Sequence, residues 1–550
     1  MTELESRPVN DDRVFDAVIV GAGLGGICML HRLRSRGFSV QVLEAGSGIG
    51  GTWFWNRYPG ARCDAPSTEY SYQFSEQLQQ DWDWSEKYAT QPEILRYINH
   101  VADRFDLRPY IQLNTHVTTA AFDEATGHWS IETDNGERVS ARYCIMATGV
   151  LSSPIKPDIN GLETFAGPVH YTSRWPHEGI DFNGQRVGII GTGSSAVQSI
   201  PHIASDAAHL YVFQRTPNYS VPAHNTQITP EVREQIKADY PGIRARGKQA
   251  FFGMDLAFNE ASALEATPEA RERQYEERWA MGGFAFLAAY GDLLLDQKAN
   301  DTAAEFVRAK IGEKVSDPAV AEKLMPRSVL GCKRLCIDTD YYETFNRPNV
   351  TLVDISEAPI EAITPDGVIT GSEIHDLDMI ILATGFDAIT GALLNLDIRG
   401  RHGITLREKW EAGPRAYLGL AIAGFPNLFT INGPGSPSVL GNNLSAIEQH
   451  VNWIADSIKY LTERDVACME ATVEAENEWA EHVNDIASAT LFNACNSWYR
   501  GANVPGKPRM FMPYIGVPPY AKKCAAVVAA NYEGFVLSSG SEQYPASNPS

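Results

Sequence analysis

Two glycine-rich segments of this sequence carry the residue types that can hold a diphosphate. The first, GAGLGG, places Gly21, Gly23 and Gly26 between an apolar β-branched run and a helical pattern. Glycines let the backbone approach a pyrophosphate closely, and a helix N-terminus offers free N–H groups and a positive dipole. Glu44 ends the next predicted strand, where a carboxylate can accept hydrogen bonds from ribose hydroxyls. The combination predicts a dinucleotide site, and a purely structural strand–helix turn is the competing interpretation.

The second glycine-rich segment, GTGSSA, repeats the pattern with a different charge beside it. It consists of Gly191, Thr192, Gly193, Ser194, Ser195 and Ala196. The strand after it ends in Phe213-Gln214-Arg215-Thr216 and carries no acid. Because a carboxylate would repel a 2′-phosphate and Arg215 would bind it, the segment predicts NADP rather than NAD. A surface arginine on a structural unit is the alternative.

Two dinucleotide units in one chain indicate a flavin together with a nicotinamide. We expect FAD on the first unit and NADPH, as the hydride donor, on the second. A disulfide reductase would need a redox-active cysteine pair near the flavin, but the eight cysteines form no C-x-x-C motif. Oxygen is therefore the expected electron acceptor. A redox sensor or electron-transfer protein that forms no oxygenated product is a competing class.

These motifs require two parallel sheets to position them. Residues 14–45 and 185–216 each show a strand, a glycine-rich turn, a helix and a strand, and later strands end in Ala-Thr-Gly at 147–149 and 383–385. The pattern predicts an α/β fold with two Rossmann-like dinucleotide-binding domains, for FAD and NADP, and a helical insertion in the NADP domain. The expected plan is an FAD-binding domain at 1–152, an NADP-binding domain at 153–221, the helical insertion at 222–330, the NADP-binding domain again at 331–388, the FAD-binding domain again at 389–537, and a disordered tail at 538–550.

Composition and charge narrow the possible partners. Apolar residues make up 44% of the 550 residues and charged residues 21%, which is typical of a globular protein. The formal net charge of −22 argues against a nucleic-acid or anionic-membrane partner, since both need a basic face. Sparse cysteines disfavour a disulfide scaffold, structural zinc or any metal, and favour a reducing compartment. With a polar, acidic N-terminus and no apolar run of 18 residues, we expect a cytoplasmic monomer.

Several longer strings resemble one family of flavoenzymes. GGTWFWNRYPGARCD (50–64) resembles the flavin-proximal fingerprint of Baeyer–Villiger monooxygenases, and FAGPVHYTSRWP (165–176) resembles their linker signature F-x-G-x-x-x-H-x-x-x-W-P. Tyr171 occupies the linker histidine position and His170 stands one residue earlier, which leaves the role of that histidine open. Further similar strings are LGCKRLCIDTDYYETFNR (330–347), LATGFDA (382–388), GPGSPSVL (433–440), IEQHV (447–451) and NSWYRGANVPGKPR (496–509). The resemblance covers nearly the whole chain and is closest to the phenylacetone and steroid monooxygenase branch.

The resemblance implies a reaction as well as a fold. In this family a deprotonated peroxide on C4a of the flavin attacks a ketone carbonyl, and a carbon then migrates to oxygen to give an ester or lactone. The family's catalytic arginine aligns with Arg334, and its carboxylate partner aligns with Asp64. A cation 4 Å from the peroxide would attract it by about 4 kcal/mol, which lowers its pKa by about three. Taken alone, Asp64 would read as a turn acid and Arg334 as a surface charge.

The same alignment implies contacts to both cofactors. Besides the first glycine-rich segment and Glu44, the FAD contacts are Thr52, Trp53, Phe54, Trp55, Asp64, Tyr70, Val117 and Asn443. Besides the second glycine-rich segment, the NADP contacts are Arg62, Cys63, Gln198, Arg215, Thr216, Lys333, Arg334 and Trp498. Lys333 would join Arg215 and Thr216 around the 2′-phosphate, and Trp498 matches the tryptophan of a mobile loop over NADP. A surface lysine and a core tryptophan are the plainer interpretations of these two residues.

The expected function is therefore NADPH- and O2-dependent oxidation of a ketone, with bulky cyclic, aryl or steroid ketones as the substrate class. A flavin monooxygenase that oxygenates soft nitrogen or sulfur is the alternative. That chemistry uses a protonated, electrophilic hydroperoxide and does not need Arg334 with Asp64. Residues 432–443 are expected to form a turn that leads into a helix at 445–465. The start of that helix can place the positive end of its dipole near the flavin.

Overall fold

The structure is a computed structural model that describes residues 13–539. The predicted polar N-terminus and most of the predicted tail, residues 1–12 and 540–550, lie outside the described residues. Ser538, the first residue assigned to the tail, is instead the last residue of a strand. No helix among residues 13–539 is long and apolar enough to cross a membrane.

Strands and helices alternate along most of the described chain. The strands are β1 (Arg13–Val20), β2 (Val40–Leu43), β3 (Ile111–Gln112), β4 (Val117–Asp123), β5 (His128–Thr133), β6 (Arg138–Met146), β7 (Val169–Tyr171), β8 (Arg186–Ile190), β9 (His209–Gln214), β10 (Ser220–Pro222), β11 (Cys336–Asp338), β12 (Val350–Asp354), β13 (Ile360–Thr364), β14 (Gly367–Thr370), β15 (Glu373–Asp376), β16 (Met379–Leu382), β17 (Asp397–Arg399), β18 (Leu428–Thr430), β19 (Cys468–Ala471) and β20 (Phe535–Ser538). The α-helices are α1 (Leu24–Arg34), α2 (Thr52–Trp55), α3 (Glu76–Asp81), α4 (Gln91–Arg104), α5 (Ser194–Asp206), α6 (Pro230–Gln249), α7 (Pro268–Met281), α8 (Gln297–Lys314), α9 (Pro318–Leu324), α10 (Tyr341–Thr344), α11 (Gly391–Leu394), α12 (Leu406–Lys409), α13 (Asn443–Glu463), α14 (Val473–Ser488) and α15 (Val517–Ala529).

The first sheet contains the first glycine-rich segment. Its strand order is β17-β4-β5-β6-β1-β2-β3, with β18 also paired to β6. The strands around β1 run parallel, whereas β5 is antiparallel to both β4 and β6. Strands β17 and β18 come from beyond residue 390, so the chain returns to this sheet after building the second one.

The second sheet contains the second glycine-rich segment and is parallel throughout. Its order is β12-β9-β8-β16-β7. Strand β7, from the linker signature, forms one edge beside β16. An antiparallel sheet of β13, β14 and β15, which the sequence pattern did not predict, precedes β16. The two sheets, each parallel around its glycine-rich segment, agree with the predicted pair of Rossmann-like units.

Helices α6 to α9 lie between the two halves of the second unit. Their starts are encoded locally, because Thr229 and Thr267 accept hydrogen bonds from N–H groups in the first turn of α6 and α7. Each threonine is followed by Pro-Glu, which suits the first helical turn. Residues 223–335 contain no strand, as expected for the helical insertion.

Helix α13 closes the first unit. Asn442 caps it by accepting a hydrogen bond from the Leu444 N–H, so the helix begins at 443 rather than at the predicted 445. One of its faces is fully buried and packs against α1, the helix that follows the first glycine-rich segment.

Candidate active site

The first glycine-rich turn is built against the strand that ends in Ala-Thr-Gly. Gly21 has φ +103°, and a Cβ there would lie 2.7 Å from the Ala147 carbonyl oxygen. Only glycine fits such a position without strain. The Glu44 carboxylate accepts hydrogen bonds from the N–H groups of Ala22 at 2.6 Å and Gly46 at 2.7 Å. Burial raises the pKa of Glu44, and these two bonds offset part of that rise. The carboxylate is thus fixed at the rim of the turn, where its remaining lone pairs suit ribose hydroxyls.

The second glycine-rich turn has the same construction. Gly191 has φ +111°, and a Cβ there would lie 2.5 Å from the carbonyl oxygen of Ala383, the alanine of the second Ala-Thr-Gly. A Cβ on Gly193 would meet no atom within 4 Å, so this side of the turn is open to a ligand. The Thr192 hydroxyl donates to the Thr216 carbonyl at 3.0 Å, which ties the turn to the end of β9. An open turn at the start of α5 fits a diphosphate.

Two cations lie near each other beside the second turn. Arg215 is exposed at the end of β9, and Lys333 is half-buried. Burial and the nearby positive charge of Arg215 both lower the pKa of Lys333. Two like charges without an acid between them form a site that suits a phosphate. The side chain at the acid position, Gln214, donates instead to the Lys323 carbonyl at 2.8 Å.

The fingerprint segment lies directly on the first turn. Gly50 N–H donates to the Ala22 carbonyl at 2.9 Å, and Gly51 faces Gly23 so closely that a Cβ on Gly51 would lie 2.9 Å from the Gly23 Cα. The short helix α2 follows, with Trp53 and Phe54 buried and Thr52 exposed at its first residue. The segment therefore carries its aromatic side chains to the edge of the first dinucleotide turn.

The remaining predicted FAD residues occupy different surroundings. The indole N–H of Trp53 donates to the Tyr70 hydroxyl at 3.1 Å. The Trp55 ring lies under the Arg174 guanidinium, 5.0 Å from its carbon. Val117 is buried at the start of β4, and the Asn443 side chain accepts a hydrogen bond from Asn432 at 2.8 Å.

A guanidinium–carboxylate pair lies between the two units. Arg334 donates from Nε and Nη2 to the two oxygens of Asp64, each at 2.7 Å. Its Nη1 donates to the backbone carbonyl of Val439, and the Phe284 ring lies 4.8 Å from the guanidinium carbon. Burial alone would lower the pKa of Arg334, but the charge and hydrogen bonds of Asp64 raise it above its usual value. Arg334 therefore keeps its positive charge inside the protein.

The chain elements explain why this pair meets at the junction. Arg334 lies two residues before β11, whose first residue, Cys336, contacts the Ser194 hydroxyl of the second turn at 3.5 Å. Asp64 ends the fingerprint segment, which lies on the first turn. The Cys63 N–H donates to the Ala89 carbonyl at 3.2 Å and fixes the backbone next to Asp64. The pair consequently connects the two dinucleotide turns.

Gln198 also bridges the two units. From α5 its amide N–H donates to the Arg62 carbonyl at 3.2 Å, and its oxygen accepts from the Tyr58 hydroxyl at 2.9 Å. The Arg62 side chain pairs with Glu86 at 3.1 Å. Cys63 is buried, which raises the pKa of its thiol. The predicted NADP residues Arg62, Cys63 and Gln198 are thus brought together. Arg215 and Lys333 form a separate group beside the second glycine-rich turn.

Trp498 lies in a segment that the structure joins covalently to the second unit. It starts the short 3-10 helix Trp498–Arg500, and its ring centroid is 4.5 Å from that of Tyr499. Just before it, Cys495 forms a disulfide with Cys332, one residue before Lys333. The sparse cysteines disfavoured a disulfide scaffold, and this single bond, which leaves six cysteines free, is an addition that the sequence did not predict. Its partners are 163 residues apart in sequence, so no local spacing motif marks them.

Other functional contacts also escaped the sequence. The Val439 carbonyl is a backbone atom, and no side-chain pattern identifies it. Phe284 lies in the helical insertion, outside the recognised strings. His170 lies on β7 with its ring centroid 6.1 Å from that of Trp175, and burial lowers its pKa. Within residues 13–539 no cluster of three or more His, Cys, Asp or Glu side chains is arranged to hold a metal ion.

Comparison with known proteins agrees with this geometry. The family described as pyridine nucleotide-disulphide oxidoreductase matches residues 18–253. The chain is 42% identical over 527 residues to a Baeyer–Villiger monooxygenase of Pseudooceanicola batsensis, covering 95% of this chain and 96% of that protein. The chain belongs to the Baeyer–Villiger monooxygenase family. It is thus an FAD- and NADP-dependent oxidoreductase, and the predicted fold class, reaction class and cofactors are confirmed.

Two solved structures of similar fold contain bound NADP, and one of them also contains FAD. Oxidised steroid monooxygenase bound to NADP superimposes with a TM-score of 0.92 and 50% identity, covering 96% of this chain and 99% of that one. OTEMO in complex with FAD and NADP gives a TM-score of 0.93 and 41% identity, covering 96% and 100%. A phenazine N-monooxygenase of Lysobacter antibioticus is also 39% identical over 535 residues, covering 96% and 98%.

Proposed function

We propose that this protein uses NADPH and O2 to convert a ketone into an ester or lactone, with Arg334 and Asp64 as its catalytic pair. The observation that carries the proposal is the two-point contact between these side chains at the junction of the two dinucleotide turns. A buried cation that keeps its charge is the feature this reaction needs, because negative charge builds up on oxygen during the transfer to a carbonyl.

Each residue of the pair has a separate task. Bound FAD, once reduced by NADPH, supplies the electrons that activate O2. Arg334 stabilises the negatively charged oxygen, and an attraction across 4 Å at an effective dielectric constant near 20 contributes about 4 kcal/mol. Asp64 fixes the guanidinium plane through two hydrogen bonds and offsets the cost of its burial. The contacts to Asp64 and Val439 engage three of the five guanidinium N–H groups of Arg334. The other two N–H groups are available to the reacting oxygen.

The cofactor contacts are part of the same proposal. The proposed FAD residues are Gly21, Gly23, Gly26, Glu44, Thr52, Trp53, Phe54, Trp55, Asp64, Tyr70, Val117 and Asn443. The proposed NADP residues are Arg62, Cys63, Gly191, Thr192, Gly193, Ser194, Ser195, Ala196, Gln198, Arg215, Thr216, Lys333, Arg334 and Trp498. The Glu44 carboxylate, held by two backbone hydrogen bonds, supports the first set, and the neighbouring cations Arg215 and Lys333 support NADP over NAD.

The proposed substrate is a bulky cyclic, aryl or steroid ketone. A small, largely apolar cleft adjoins the Val439 segment and is lined by Phe251, Phe252, Leu440, Tyr514 and Val517 among others. Apolar walls exclude water and favour a hydrophobic ketone. The similarity to a steroid monooxygenase supports the same size class.

We propose that the protein is located in the cytoplasm and is a monomer. The net charge of −22 favours a well-solvated surface and disfavours anionic partners such as nucleic acid or membrane. Size-exclusion chromatography with light scattering should give a mass near the chain mass of 60.5 kDa, and a larger mass would contradict the monomer.

Oxygenation of a nitrogen or sulfur atom is the second candidate. The similarity to a phenazine N-monooxygenase favours it. It does not explain the Arg334–Asp64 pair, because an electrophilic oxygen donor gains nothing from a nearby cation. Products from a ketone, a thioether and a phenazine separate the two functions, since oxidation of only the thioether or phenazine would contradict the ketone reaction.

The central test is the variant Arg334→Ala. We expect normal FAD content and normal reduction of the flavin by NADPH, but ester formation reduced about a thousandfold, since a lost charge donor typically costs two to three orders of magnitude. Asp64→Asn should lower ester formation about thirtyfold, because the arginine keeps its charge but loses its fixed orientation. Stopped-flow absorbance of the flavin and product analysis by gas chromatography measure the two steps separately.

A matched control is available on the surface. Arg138 pairs with Glu132, and both side chains are well exposed. Arg138→Ala should leave both steps unchanged. Normal ester yield in Arg334→Ala would refute the assigned role, and loss of flavin binding in that variant would show a structural role instead.

A further inference from the structure

The structure joins two segments that carry proposed NADP residues by a covalent bond. Cys332 and Cys495 form a disulfide with their Cα atoms 6.0 Å apart. Cys332 directly precedes Lys333, and Cys495 stands three residues before Trp498. The bond therefore limits the distance between the segment of the proposed 2′-phosphate residue Lys333 and the segment of the proposed NADP-covering residue Trp498.

The rest of the Trp498 segment is held by weaker contacts to the second unit. The Asn503 amide donates to the Phe386 carbonyl at 2.8 Å, and Lys507 pairs with Asp387 while donating to the Ala388 carbonyl at 3.2 Å. Residues 386–388 follow the second Ala-Thr-Gly, so this end of the segment lies near the second turn. Breaking the disulfide would remove the covalent anchor at the start of the segment and leave it held by noncovalent contacts, such as the packing of buried Tyr499.

The two sulfur atoms differ in access. Cys332 is fully buried, whereas Cys495 is partly exposed. The other six cysteines in the chain are all buried as free thiols. A soluble thiol or peroxide therefore reaches Cys495 in preference to any other cysteine.

We propose that Cys332 and Cys495 form a reversible redox-modification site whose oxidation state sets the affinity for NADP. The proposal rests on the proposed function, because it takes Lys333 and Trp498 as NADP residues. In the oxidised protein the two residues are held ready for the cofactor, and such preorganisation increases affinity. In the reduced protein the cofactor must also order the start of the Trp498 segment, so binding is weaker. Disulfides of cytoplasmic proteins are typically transient and serve catalysis or redox sensing, which agrees with the proposed setting.

The chemistry balances with two classes of reagent. For reduction, a thiolate of an external dithiol attacks the accessible Cys495 sulfur, the S–S bond breaks, and Cys332 leaves as a thiolate. The second thiol of the reagent then displaces Cys495, so the reagent becomes a disulfide and the protein gains two thiols. For oxidation, hydrogen peroxide converts Cys495 to a sulfenic acid with release of one water, and the Cys332 thiol displaces a second water to form the disulfide.

The test compares the oxidised and reduced forms of the FAD-loaded full-length enzyme. One sample is treated with hydrogen peroxide and one with dithiothreitol, and peptide mass spectrometry records the state of Cys332 and Cys495. Titration calorimetry then gives the NADP+ dissociation constant of each. We expect the oxidised form to bind about three- to tenfold more tightly, which corresponds to ordering a short loop with one or two side chains.

Two variants make the result specific. Cys495→Ser, at a partly exposed position, should bind NADP+ like the reduced wild type after either treatment. Cys468→Ser, a buried free cysteine on β19 in the first unit, should keep the full difference between treatments. If either variant fails to retain FAD, the wild-type comparison still decides, since it needs no substitution.

Each outcome has one meaning. Equal dissociation constants in the two states, tighter binding by the reduced form, or a disulfide that forms or breaks only in unfolded protein would each overturn the redox site. Failure of both states to bind NADP+ would instead contradict the proposed function. The two failures are therefore distinguishable.

Discussion

The two glycine-rich turns of this enzyme share a backbone conformation but differ in the charge of the neighbouring side chains. In each turn the first glycine has a φ above +100° and leans against the alanine carbonyl of an Ala-Thr-Gly segment. Beside the first turn a fixed carboxylate, Glu44, accepts two backbone hydrogen bonds. Beside the second turn stand the cations Arg215 and Lys333. The backbone thus makes a general diphosphate site, and one or two side chains decide which nucleotide enters it.

The two turns also differ in how closely the helix approaches its strand. A Cβ on Gly26 would lie 1.9 Å from the Gly21 carbonyl oxygen, so α1 lies too close for any side chain. The corresponding residue of the second turn is Ala196, which is fully buried. The helix therefore packs more closely on the first turn than on the second. Helix α13 also packs against α1, the helix that follows the first turn.

The largest expected effect comes from replacing the first glycine of each turn by alanine. Gly21→Ala should abolish FAD binding, because the new Cβ meets the Ala147 carbonyl and the backbone φ is unsuited to alanine. Gly191→Ala should leave FAD bound and raise the NADP+ dissociation constant about a hundredfold by the same clash with Ala383. Absorbance at the flavin maximum and calorimetry measure the two effects. Loss of FAD from the Gly191 variant would contradict the prediction that the two turns bind their nucleotides independently.

A smaller effect is expected from the charge beside the second turn. Arg215→Ala should raise the KM for NADPH about thirtyfold and leave the KM for NADH nearly unchanged, because only NADPH carries the 2′-phosphate. Lys333→Ala should act in the same direction. Steady-state kinetics with both nucleotides give the ratio. An equal effect on NADPH and NADH would remove the phosphate assignment.

A further expected effect concerns stability rather than nucleotide binding, and it involves helix α13, which packs against α1 of the first unit. Glu448 of α13 is buried, and burial raises its pKa to about 7, while the Gln73 N–H and Arg244 partly offset the rise. A raised carboxyl pKa makes folding most favourable when the group is protonated, so stability falls as pH rises from the ordinary value of 4.5 to about 7. Glu448→Gln should remove this loss and stabilise the protein above pH 7 by up to about 3 kcal/mol. Below pH 4.5 it should change little.

Scanning calorimetry across pH 5 to 8 tests this difference. The melting temperature of Glu448→Gln should exceed that of the wild type by a margin that grows with pH. Glu463→Gln, an exposed position at the end of the same helix, is the control and should show no such trend. A constant or shrinking margin for Glu448→Gln would contradict the linkage.

Much of this architecture follows from short contiguous patterns. The glycine-rich turns and their flanking strands and helices were predicted because each is encoded within about thirty consecutive residues. The antiparallel sheet β13-β14-β15 was not predicted, since it lies in a connection between motifs.

The active-site contacts divide in the same way. The pairing of Arg334 with Asp64 was inferred only from family resemblance, because 270 residues separate them. The Cys332–Cys495 bond joins residues that no spacing rule connects. The Phe284 ring and the Val439 carbonyl could not be foreseen, because Phe284 lies in the helical insertion outside any recognised motif and the carbonyl is a backbone group.

The hydrogen bond from Arg334 to the Val439 carbonyl has a practical consequence for altering substrate range. The turn at 432–442 both lines the cleft and anchors the charged head of the catalytic arginine. Changing only side chains there, such as that of Leu440, should reshape the cleft while the carbonyl stays in place. Inserting or deleting residues, or adding proline, would move the carbonyl and the guanidinium together. Enzyme engineers who lengthen this turn to admit larger ketones would therefore lose turnover and selectivity at once.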